Sequence, residues 1–136
     1  MNVRSIAVPA EARQLAVLTQ FLQEFCSAQS VPDSVTARFE LALEELFVNV
    51  VTHGAPERAL PRVEVALAFE GGALTMAMED DGPEFNPLSL PEPDISAPLA
   101  ARPIGGLGIH LVRQLMDAVS YEHAAGRNRV VMTRHA

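Results

Sequence analysis

The chain contains no lysine; every basic residue is an arginine. That absence excludes two common ways of handling a nucleoside triphosphate. A Walker-type phosphate loop needs a lysine on the phosphates, and a eukaryotic-type protein kinase needs one on a strand. Positive charge is scarce altogether: 10 arginines face 17 acidic side chains, for a formal net charge of -7. Such a balance offers no basic patch for direct binding of nucleic acid or of an anionic membrane. One cysteine, Cys26, permits neither an internal disulfide nor a cysteine-based zinc site, and it reads as a small apolar residue beside a helix stripe. The sequence shows no leader pattern and no apolar run of membrane-spanning length, so a cytoplasmic protein is expected.

What is present suits one domain over residues 1–136, long enough to bury a core without staples. Arg4 to Val8 reads as a short strand ended by Pro9. From Glu11 to about Ala28, Leu15, Leu18, Leu22 and Phe25 recur at helical spacing. Asp33 or Ser34 caps a second helix running to about Thr52, where Gly54 and Pro56 stop it. Arg62 to Phe69 alternates as a strand, Gly71-Gly72 turns the chain, and Leu74, Met76 and Met78 share the inward face of the next strand. The stretch from Pro83 to Pro103 has little periodicity and, at about twenty residues, exceeds an ordinary connection, which marks a functional loop or lid. A third helix opens at Gly105-Gly106-Leu107-Gly108. Ser120 to His123 and Arg129 to Arg134 form a final hairpin turning at Gly126-Arg127-Asn128. This order predicts an α/β (α+β) two-layer sandwich: a mixed, mostly antiparallel sheet with helices on one face.

Three constellations carry chemical content. On the second helix, Glu45, Asn49 and His53 stand at i, i+4 and i+8 beside the apolar stripe of Phe39, Leu43, Leu46, Phe47 and Val50, whereas Glu44 points away. Asn49 is either a surface amide bonded to a neighbour or a ligand-facing group; His53 alone suits a helix C-terminus. Asp80 continues the inward row of Leu74, Met76 and Met78, while Asp81 faces out. An acid there either brackets the turn at Gly82-Pro83 or faces a cavity. The glycines at 105, 106 and 108 form either a tight turn or an anion site of unpaired N–H groups at a helix start.

Taken jointly and in order, these segments resemble the ATP-binding boxes of the GHKL superfamily. Glu45-Leu46-Phe47-Val48-Asn49-Val50-Val51-Thr52-His53-Gly54 is similar to its N box. Asp80-Asp81-Gly82-Pro83-Glu84-Phe85-Asn86-Pro87 resembles its first glycine box, and Gly105-Gly106-Leu107-Gly108-Ile109-His110 its second. The likeness covers nearly the whole chain and is nearest the small anti-sigma-factor serine/threonine kinases. The resemblance implies a Bergerat ATP-binding fold with ATP and Mg²⁺ as cofactors. It implies Mg²⁺ binding through Asn49, a general base or an orienter of the nucleophile at Glu45, and an adenine contact at Asp80. Gly82 would admit the purine, Gly105, Gly106 and Gly108 would cradle phosphates, and His53, Phe85, Arg102 and Leu107 would complete the nucleotide site. The implied partners are a STAS-type anti-sigma-factor antagonist as substrate and a sigma factor, with a homodimer as a further expectation. The chain departs from the family pattern in two places. Glu84 stands where many members have a second glycine, and Arg102 lies slightly upstream of the usual arginine. A non-catalytic, nucleotide-binding interaction module is the alternative.

Overall fold

A computed structural model describes residues 2–53, 60–89 and 106–136. The expected stops at Gly54 and Pro56, most of the lid, and the candidate residues Arg102 and Gly105 lie outside the described residues. The elements follow in the expected order: β1 (Asn2–Pro9), α1 (Leu15–Ala28), α2 (Asp33–His53), β2 (Arg62–Glu70), β3 (Ala73–Asp80), α3 (Gly106–Leu115), β4 (Ala118–Ala124) and β5 (Arg127–His135). The first helix starts later than expected, because Ala12–Gln14 forms a 3-10 turn before α1.

The strands make a five-stranded sheet in the order β1-β2-β3-β5-β4, and each of its pairings is antiparallel. Alternation places Val63, Val65 and Leu67 on one face with Leu74, Met76 and Met78, and with Val130 and Met132. All eight are buried, together with Leu18, Leu22, Phe39, Leu43 and Phe47 from the helices, in one core. Burial on that scale stabilises by about 1.5–3 kcal/mol per large side chain, which offsets the entropy of ordering the chain. Helix α2 packs against both α1 and α3, so the helical layer lies over the inward face of the sheet.

The hairpins explain the register. Gly71 and Gly72 both have positive φ (59° and 77°), the backbone that a two-residue turn between twisted strands demands. The second hairpin corrects the sequence reading. Its turn is Ala125-Gly126, with φ of 55° and 75°, and Ala124 pairs with Arg127. Asn128 therefore belongs to β5, not to the turn. It points inward, 4% exposed, directly opposite Asp80. This register delivers two polar side chains to the end of an otherwise apolar face.

Candidate functional site

At that end the second helix, the sheet and the loop after β3 line a cavity. Helix α2 contributes Leu46, Asn49, Val50 and His53; β3 contributes Met78 and Asp80; β5 contributes Asn128 and Val130. The loop closes the remaining side with Gly82, Pro83, Phe85 and Pro87. The floor and walls are apolar, with a few polar groups converging at one end, the usual composition of a small-molecule site.

Asn49 is 9% exposed, and its Nδ2 has no hydrogen-bond partner among the described residues. The alternative of a surface amide bonded to a neighbour is thereby set aside. An orphaned buried amide costs about 1–3 kcal/mol, so it points to a missing partner inside the cavity.

Asp80 Oδ1 accepts two hydrogen bonds, from the Gly82 N–H and from Asn128 Nδ2, both at 3.0 Å. The turn-bracketing role and the cavity-facing role thus coexist in one carboxylate. Burial pushes its carboxyl above the usual aspartate range, against the bonds from Asn128 and Gly82; Asp81 adds to the rise and His123 opposes it. Asp81 faces outward as expected and accepts the Arg62 N–H at 2.7 Å. At Gly82 the requirement is space: an added Cβ would lie 3.1 Å from Asp80 Oδ1 and 3.2 Å from Pro61 Cγ.

His53 and Phe85 meet as a stacked pair, ring centroids 4.0 Å apart at 19°. The first part of the expected lid is seated on the core. Leu88 packs against it, Pro87 is buried, and the Arg113 guanidinium donates to the Leu88 carbonyl. Helix α3 begins at Gly106, as the glycine cluster implied, with Ile109 and Val112 in the core. The side-chain surroundings of positions 106–108, which include Leu107, lie outside the described residues.

Glu45 stands apart. It is half-buried one turn before Asn49 and does not line the cavity. Burial and the neighbouring charge of Glu44 raise its carboxyl above the usual range. Asn128, which lines the cavity, and Tyr121, which bonds to it, are the residues that sequence reasoning missed. Asn128 sits beside a glycine, which reads as turn chemistry. The signal that locates it is the period-two row Asn128, Val130, Met132. Among the described residues, no cluster of His, Cys, Asp and Glu could hold a metal ion by itself, and no helix is long and apolar enough to cross a membrane.

An antiparallel sheet under a helical layer, with a polar-ended pocket between the second helix and the strand that ends in Asp80, defines a nucleotide-binding class of fold. The chain belongs to the histidine kinase-like ATPase domain family, whose model matches residues 8–134. It is 27% identical over 105 residues to the serine/threonine-protein kinase BtrW of Bordetella bronchiseptica, covering 76% of this chain and 74% of that one. It is 24% identical over 132 residues to the serine-protein kinase RsbW of Bacillus mycoides, covering 94% and 81%. Among solved structures, the RsbU and RsbW domains of a Mycobacterium tuberculosis protein superpose with a TM-score of 0.71 at 19% identity. That match covers 99% of this chain and 32% of the other. The catalytic domain of the histidine kinase ThkA gives 0.54 at 10% identity, covering 99% and 96%. At those identities the structural likenesses speak for the fold alone.

Proposed function

We propose that the chain is a cytoplasmic ATP-binding anti-sigma regulatory factor with serine/threonine protein kinase activity. The observation that carries this reading is the unpartnered amide of Asn49 facing the same cavity as the Asp80 carboxylate. Asp80 would accept from the amino group of an adenine, a role supported by its place in the cavity wall, with the stacked His53–Phe85 pair lining the same cavity. Asn49 would hold Mg²⁺ through its amide oxygen, since Mg²⁺ takes few protein oxygens and completes its octahedron with phosphates and water, and its unpartnered Nδ2 is left to donate to a ligand oxygen. Once bound, the ion would supply charge neutralisation on the triphosphate. The glycines from Gly105 to Gly108, at the start of α3, suit the phosphates themselves, with Arg102 and Leu107 beside them.

Glu45 is the candidate base for the hydroxyl of a partner's serine or threonine. Its raised proton affinity suits that work better than that of an ordinary surface carboxylate. The substrate is a STAS-type antagonist, and the sequestered partner a sigma factor. The kinase names of the relatives from Bordetella and Bacillus support the kinase activity, and the resemblance to the anti-sigma-factor kinases supports the two partners. Strand β1 is an edge of the sheet with Val3 exposed on it, which suits the homodimer. A second reading, a non-catalytic nucleotide-binding regulator, is favoured by the position of Glu45 outside the cavity and by Glu84 in the first glycine box.

Calorimetric titration of ATP, with and without Mg²⁺, into wild type and Asn49→Ala tests the site. Magnesium-dependent binding that the variant weakens is the expected result. Absence of binding by the wild type refutes the nucleotide reading and leaves a pure protein-binding regulator.

A further inference from the structure

Asn128 has a complete hydrogen-bond account. Its Oδ1 accepts the Phe85 N–H at 3.1 Å and the Tyr121 hydroxyl at 2.5 Å. Its Nδ2 donates to Asp80 Oδ1 at 3.0 Å and to the Pro83 carbonyl at 2.9 Å. The orientation of a side-chain amide is often ambiguous, because its two ends look alike. Here two main-chain groups decide it. A backbone N–H can only donate and a carbonyl can only accept, so Oδ1 must face Phe85 and Nδ2 must face Pro83. Turning the amide over would set donor against donor and acceptor against acceptor at both contacts. The Tyr121 hydroxyl, which can donate or accept, donates to the same oxygen and holds the amide in place.

This orientation has a consequence for Asp80. With Nδ2 obliged to donate and the Gly82 N–H donating beside it, Oδ1 is saturated and held as an acceptor. Oδ2 makes no hydrogen bond among the described residues, so it is the oxygen left for a ligand. The same amide also ties down Pro83 and Phe85, which form the facing wall of the cavity. One side chain thereby sets both the acceptor that reads the ligand edge and the wall against which the ligand lies.

We infer that Asn128, locked by Tyr121, is a positioning residue for base selection: it presents a single acceptor oxygen of Asp80 and thereby selects a purine bearing a 6-amino group over one bearing a 6-oxo group. The inference rests on the nucleotide reading above and adds to it the residues that enforce the choice of base. A 6-oxo group would set an acceptor against the Asp80 oxygen, a mismatch that a polar site rejects strongly.

The experiment titrates ATP and inosine triphosphate, each with Mg²⁺, into wild type, Asn128→Ala and Tyr121→Phe, with thermal melts to confirm folding. Wild type is expected to prefer ATP by about 10- to 150-fold, the worth of one hydrogen bond to a charged acceptor. Asn128→Ala should weaken both nucleotides through the loosened wall, but ATP by about tenfold more than inosine triphosphate, so that the preference collapses. Tyr121→Phe removes one hydroxyl at a half-buried position and tests the lock even if Asn128→Ala does not fold; its preference should fall by about threefold. A folded Tyr121→Phe with the wild-type preference overturns the inference, as does an equal loss of both nucleotides in a folded Asn128→Ala. In either case ATP binding by the wild type keeps the nucleotide reading intact. If the wild type binds neither triphosphate, that reading fails and this inference with it.

Discussion

Replacing Asp80 by asparagine separates what the carboxylate does for the fold from what it does for a ligand. The two side chains have the same shape. In Asp80→Asn the oxygen that accepts from Gly82 and Asn128 is retained, because those two donors require an acceptor at that position. The amino group must then take the place of Oδ2 and turn a ligand-facing acceptor into a donor. For the fold, the sign follows from burial, which holds the Asp80 carboxyl above its ordinary value. Between the ordinary and the raised value the folded chain binds more protons than the unfolded chain, so stability falls as pH rises through that window and stays lower above it. The variant has no charge to desolvate. Its melting temperature at neutral pH should equal or exceed that of the wild type, and the decline through that window should flatten. For a ligand, the loss of a hydrogen bond to a charged acceptor is worth about 1.5–3 kcal/mol, or about 10- to 150-fold weaker ATP binding. Differential scanning calorimetry across pH measures the first effect, and isothermal titration with ATP the second. A variant that melts several degrees lower at neutral pH, or that binds ATP as wild type does, would refute the reasoning.

Two further outcomes are expected. Glu45→Gln should bind ATP within about twofold of wild type and lose phosphotransfer to a STAS-type partner by about 10²- to 10⁴-fold, the usual worth of a general base; radiolabel transfer with the titration alongside reads both, and unchanged transfer would favour the non-catalytic alternative. Gly82→Ala would press a methyl against Asp80 Oδ1 and Pro61 Cγ, at 3.1 and 3.2 Å. It should cost about 1–3 kcal/mol in urea unfolding and weaken ATP, whereas a neutral result on both would show that Asp80 and Pro61 yield freely.

The element order, the single-faced helical layer and the inward placement of Asn49 and Asp80 were legible in local periodicity, whereas His53, Gly82 and Phe85, which also line the cavity, were expected there only through the resemblance to the GHKL boxes. Helical spacing brings Asn49 beside the core stripe, and strand alternation carries Asp80 to the end of the Leu74, Met76, Met78 row. What stayed hidden depends on pairing between strands. The antiparallel match of Asp80 with Asn128 joins residues 48 positions apart, and no local pattern announces it. The turn was misplaced because glycine and asparagine both favour turns, whereas Ala125 takes a left-handed backbone that alanine rarely adopts. The separation of Glu45 from the cavity also escaped the helical wheel. The wheel aligns i and i+4 in angle, but one helical turn is enough to carry a side chain past the end of a pocket.

The two buried asparagines of this site have opposite hydrogen-bond accounts, and that contrast separates scaffold from ligand contact. Asn128 satisfies both of its amide donors and doubly fills its acceptor, so Asn128→Ala leaves the Phe85 N–H and the Pro83 carbonyl without their partner and takes one of two donors from the half-buried Asp80 carboxylate. Each such group costs about 1–3 kcal/mol when left unpaired, and unliganded stability should fall sharply. Asn49 holds an amide with no partner among the described residues, so Asn49→Ala removes a polar group that the unliganded fold does not satisfy. Its unliganded stability should change little, because the relieved desolvation offsets the lost packing. The order of the two variants should reverse when stabilisation by saturating ATP-Mg²⁺ is measured: Asn49→Ala then forfeits its ligand contact while keeping a wild-type unliganded melt. Equal destabilisation of the two unliganded variants would mean that Asn49 serves the fold after all, and the cavity would lose the group that most directly asks for a ligand.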